Sequence, residues 1–236
     1  MNNGASGVLT NYGTITTGTL AMSGTNANLM KIDNYGTINS TGFSSTTVGT
    51  FTNFGTGILN INGAISGNTN NFGTINSSAL SGSSAVANIT NKSTGILNFT
   101  GGSMSSTTLV LDASEAGNTV NYSAAITQTI KPATYYNLTL SGSGTKTVAA
   151  ATAITIASGG VGTVNEGIVL NNLGTVTNNG ELLLKSSATG TASLTSTSSI
   201  SGVTQQRYLS SNQRGWRLLS NPLASKTFNT LATDSG

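Results

Sequence analysis

Short runs in which apolar and polar residues alternate recur along this chain and predict β-strands. Ile58, Leu59, Asn60, Ile61 and Ile96, Leu97, Asn98, Phe99 share one pattern, and the string Thr, Gly, Ile, Leu, Asn occupies both 56–60 and 94–98. Such alternation turns apolar side chains to one face of a strand and Asn, Ser or Thr to the other. Past Ser106 the pattern loosens but persists through Leu109, Val110, Leu111, then Tyr136, Leu138, Leu140, then Ile154, Ile156, then Ile168, Val169, Leu170, then Leu182, Leu183, Leu184.

Between the early strands one phrase returns. It reads Asn11, Tyr12, Gly13, Thr14, then Asn34, Tyr35, Gly36, Thr37, then Asn53, Phe54, Gly55, Thr56, then Asn71, Phe72, Gly73, Thr74. A degenerate copy, Asn91, Lys92, Ser93, Thr94, keeps the frame, and the second positions lie 23, 19, 18 and 20 residues apart. A fixed period means stacked repeats. A coil of three short strands and three turns needs roughly 18 to 25 residues, because the chain must return to lie about 4.8 Å above its start. Helical repeats need about 33 residues or more, and the Leu framework of leucine-rich repeats is missing. The expected fold is all-β, a single-stranded parallel β-helix (β-solenoid) of about 20-residue coils, right-handed, with roughly ten coils over about 50 Å.

Identical residues one coil apart would stack. Tyr12, Tyr35, Phe54 and Phe72 are expected to form an internal aromatic column, and Asn11, Asn34, Asn53 and Asn71 an amide ladder. Gly13, Gly36, Gly55 and Gly73 would supply a positive φ or a turn without a Cβ clash, and the following Thr would restart a strand. Asn172, Leu173, Gly174, Thr175 revives the phrase with Leu in the aromatic slot, and Asn179, Gly180, Glu181, Leu182 offers another turn into strand.

Composition agrees with a β protein. The chain holds 40 Thr, 32 Ser, 30 Gly and 28 Asn among 236 residues, all poor helix formers. Charged residues are 6% of the chain and Pro only 2 residues, yet apolar residues reach 36% and fall in strand-like groups. A net charge of +3 forms no basic stripe, so no nucleic-acid partner is expected. No apolar run approaches the length of a membrane span, and residues 1–10 lack the parts of a signal peptide, so any export signal is expected outside this piece.

The chemistry of catalysis is sparse. There is no Cys and no His, which removes thiolate and imidazole metal ligands and the usual general base. The acids, Asp33, Asp112, Glu115, Glu166, Glu181 and Asp234, do not recur at one coil spacing; Glu166 and Glu181, 15 apart, come nearest to a pair, and Asp112 with Glu115 reads as a turn. No catalytic residue, cofactor or metal is expected, and the chain is read as no enzyme. Polysaccharide-degrading or carbohydrate-binding β-helices are the alternative. Thr pairs at 127 and 129, 145 and 147, 175 and 177, and 195 and 197 raise an ice-binding face as another, and a phage fibre segment uses the same physics. Of the adjacent Tyr135 and Tyr136, one must face outward.

The organisation expected is a solenoid over 1–201 and the start of a truncated second β domain over 202–236, where Arg214, Trp216 and Arg217 are candidates for a partner contact. The stretch from Val120, Asn121, Tyr122, Ser123 through Gln128, Thr129, Ile130 to Tyr135, Tyr136, Asn137, Leu138, Thr139, Leu140, Ser141, Gly142, Ser143, Gly144, Thr145, Lys146, Thr147 resembles a segment of large repetitive surface proteins of Bacteroidota. The tail Gln206, Arg207, Tyr208, Leu209 with Gly215, Trp216, Arg217, Leu218, Leu219, Ser220, Asn221, Pro222 resembles the domain opening that follows such repeats. The resemblance implies secretion of the type IX kind, an extracellular or cell-surface location, and a structural role as stalk or adhesin. Its partners would be neighbouring repeats or domains, surface glycans, or further copies of itself.

Overall fold

A computed structural model describes residues 7–22, 30–45, 49–104 and 108–209. Among them there is no helix, and the strands stack in parallel into a β-solenoid of about 8 turns. Among the described residues the one antiparallel pairing is a two-residue contact of Ser186–Ser187 with Gly190–Thr191. Successive rungs are separated by as few as 16 residues, from Asn60 to Asn76, and by 23 from Asn11 to Asn34. About 8 turns of roughly 22 residues make a described stack on the order of 40 Å long, against the ten coils of about 20 residues expected.

Three faces build each coil. The first begins with Gly7–Asn11, Met30–Asn34 and Thr50–Asn53 and continues through 67–71, 87–91 and Leu109–Asp112 to Thr175–Asn178. The second starts at 14–17 and 37–40, runs through Ile58–Ile61, Thr74–Ser77, Ile96–Phe99 and Thr119–Tyr122, and ends at Val203–Gln205. That last strand pairs with Glu181–Leu184, so stacking continues past residue 201. The third includes Gln128–Thr129, Thr145–Val148, Val169–Asn172 and Ser193–Ser196. Residues 210–236, with Arg214, Trp216 and Arg217, lie outside the described residues.

Alternation in sequence becomes a column in space. On the second face Ile38, Leu59, Ile75, Leu97, Val120 and Leu138 stand in register and are all buried. Each such side chain contributes about 1.5 to 3 kcal/mol by leaving water. Phe99 and Tyr122 meet edge to face at 5.8 Å, and Tyr122 and Tyr135 share a buried contact between hydroxyls of 3.3 Å. Tyr135 also donates to Lys131 O, and Lys131 N donates to Tyr122 Oη. Burial pushes Tyr122 up to about 12 and Tyr135 well above its ordinary value. Tyr136 is half-buried on the other side of that strand.

Candidate functional site

The corner between the first and second faces is built by the recurring phrase. Its Asn side chains are buried at the ends of the first-face strands. Asn11 Nδ2 donates to Asn34 Oδ1 at 2.8 Å, Asn34 to Asn53 at 2.7 Å, Asn53 to Asn71 at 2.9 Å and Asn71 to Asn91 at 2.7 Å. Each also donates to a backbone carbonyl of the next coil, as Asn34 does to Ile58 O and Asn53 to Thr74 O, and Asn53 adds Gly57 O in its own corner. From Asn91 the row makes a longer bond of 3.4 Å to Asn118 Oδ1 and leaves the register, because Ala113 and Tyr135 occupy the positions that follow.

The aromatic rings do stack, but outside the core. Ring centroids lie 5.1 Å apart for Tyr12 and Tyr35, 4.3 Å for Tyr35 and Phe54, and 6.2 Å for Phe54 and Phe72, all nearly parallel. Tyr12 is 78% exposed, and Tyr35, Phe54 and Phe72 are half-buried on the corner. The expectation of an internal column is therefore corrected: the strand alternation that buries each Asn turns the next residue outward. The glycine role shifts too. Gly13 and Gly55 have open space around them, whereas a Cβ on Gly57 would fall onto Asn34 O and Asn53 Oδ1, and one on Gly73 onto the carbonyls of Gly57 and Phe54. In the third copy Gly57, not Gly55, precedes the strand, so Thr56 starts nothing and Ile58 does. None of these glycines has a positive φ; close backbone approach selects Gly36, Gly57 and Gly73.

A second amide ladder lies on the outside of the second face. Asn121 donates to Asn98, Asn98 to Asn76, Asn76 to Asn60 and Asn60 to Asn39, over 2.7 to 2.9 Å, and Asn39 to Thr16 Oγ1 at 3.3 Å. Its donors point toward the start of the chain and those of the buried ladder toward its end. The revived phrase at Asn172 sits at another corner, between the third and first faces. Val148 and Ser196 are its register neighbours, so Asn172 donates to Ser196 Oγ at 2.9 Å and joins no amide ladder.

The third face holds a residue that sequence reasoning passed over. Lys146 is completely buried, and its Nζ donates to Ala124 O at 2.8 Å, Ile126 O at 3.2 Å, Ser143 O at 3.1 Å and Gln128 Oε1 at 2.7 Å. Burial lowers its pKa to about 8. Its signal was parity, since it alternates with inward Val148.

The acids stay apart in role. Glu115 pairs with Lys92 at 3.3 Å and accepts from Ser93 N. Asp112 Oδ1 accepts from Ser114 N and Ser114 Oγ in a local turn. Glu166 precedes the strand Val169–Asn172 and Glu181 opens Glu181–Leu184. Among the described residues no three metal-ligating side chains gather. The Thr pairs do not form one continuous rank: Thr129 and Thr147 are neighbours, but Asn171 separates them from Thr195, and Thr175 and Thr177 lie on the first face.

A concavity lies on the outer surface. On the first face, between Thr50 and Asp112, a groove of about 410 Å³ is lined by Asn68, Asn70, Asn88, Thr90 and Val110. Compared with models of protein families, with curated proteins and with solved structures, the chain gives no match.

Proposed function

We propose that this chain is a non-enzymatic structural and adhesive module, a stalk segment that presents its outer faces to a surface or ligand. The observation that carries this reading is the pairing of a continuous axial core with outer columns dominated by amides and hydroxyls and sparing in charge. Backbone pairing and the apolar columns lock each coil to the next, and two amide ladders add to this as far as Asn121, which gives length and stiffness with few charged groups. Nothing ionisable accompanies the ladders, Asp112 serves a turn and Glu115 an ion pair, so no catalytic role is proposed. The resemblance of 120–147 to repetitive surface proteins of Bacteroidota supports an extracellular or cell-surface setting and export of the type IX kind.

Beads coated with the protein should be retained on bacterial-cell or polysaccharide-coated surfaces well above uncoated beads, and incubation with polysaccharide should release no new reducing ends. Retention equal to that of uncoated beads, or release of reducing ends, would sink this reading.

A further inference from the structure

We infer that the first-face groove binds a neutral polysaccharide chain; this rests on the adhesive reading above and names its ligand. Two outward columns line the groove. In one, Thr50, Asn68, Asn88 and Val110 follow one another in register; in the other, Asn70, Thr90 and Asp112 do. Only part of this polar surface is used internally. Asn88 Nδ2 donates to Asn68 Oδ1 at 2.8 Å, and Asp112 commits Oδ1 to Ser114. The side chains of Thr50, Asn70 and Thr90 bond to none of the described residues, and Asp112 Oδ2 is likewise unspent.

Amides, hydroxyls and one carboxylate together offer both donors and acceptors, which is what neighbouring sugar hydroxyls require. Val110, 49% exposed, adds an apolar spot for the CH face of a ring, in keeping with sites that combine apolar contact with a few placed polar groups. Charge narrows the class further. Asp112 repels polyanions, and the one cation in these columns, Lys31, stands beyond Thr50, away from Asp112. An extended peptide is disfavoured because the rungs lining the groove are paired on both sides, leaving no free edge for an added strand. The aromatic column is not the platform, since its rings cover each other's faces. Because the same columns repeat at about 4.8 Å along the axis, a chain gains contacts that a single sugar cannot.

The test uses biolayer interferometry of the whole chain on immobilised dextran, galactomannan and hyaluronate. Binding is expected on at least one of the two neutral polymers and not on hyaluronate. The double variant Asn70→Ala, Asn88→Ala should weaken it about tenfold or more, for two lost hydrogen bonds. Asp112→Ala, at an exposed position, should weaken it too. No binding to either neutral polymer, equal binding to hyaluronate, or affinity unchanged in both variants overturns the assignment. If bead retention persists in that case, the groove assignment alone falls; if retention is absent as well, the adhesive reading falls with it.

Discussion

Asn53 shows how much one side chain carries in this molecule. Its amide donates to Gly57 O, Asn71 Oδ1 and Thr74 O and accepts from Asn34, all in a buried setting. Asn53→Leu keeps the branched shape and strands those partners without water, so it should cost about 3 kcal/mol or more in chemical denaturation; a loss under about 1 kcal/mol would show that the ladder is incidental. Lys146 gives a pH signature. An unfolded lysine titrates near 10.5 and this one near 8, so between those values the unfolded chain holds more protons and rising pH favours the folded state. The gain should approach the order of 3 kcal/mol by the top of that window and be absent in Lys146→Met, with stability against pH as the measurement. The four carbonyl acceptors around Lys146 come from segments whose meeting only the coil geometry creates, so no local pattern announces them.

At the scale of the element, each corner separates a buried amide from an exposed ring one residue later. Tyr35 stacks on both Tyr12 and Phe54, and Tyr35→Ala should cost about 1 to 3 kcal/mol for two ring contacts, a smaller loss than at Asn53; thermal melts of the two variants check the order. The period and the strand alternation made the coil and the Asn column legible in the sequence. Which side of the corner each residue takes was not, because a turn resets parity, and Gly57 replaces Gly55 through an insertion that spacing alone hides. The groove was equally hidden. Its Asn and Thr residues look like any outward β-surface until register sets 50, 68, 88 and 110 side by side.

For the whole molecule, stability rests on neutral interactions. Only one ion pair, Lys92 with Glu115, is found among the described residues, and both partners are partly exposed. Unfolding free energy should therefore shift by less than about 0.5 kcal/mol between dilute and 0.5 M NaCl, measured by urea titration; a larger shift would mean that charges do more than the fold shows. The two amide ladders have a further consequence at this scale. Each is a row of dipoles pointing one way, so bonds within a row polarise one another in the same sense. The buried row runs from Asn11 toward Asn91 and the outer row from Asn121 toward Asn39, so their axial moments oppose, and parallel strands add little net dipole of their own. The two rows thus leave little net dipole along the stretch of axis they share, and any field from end to end must come from the few charged side chains.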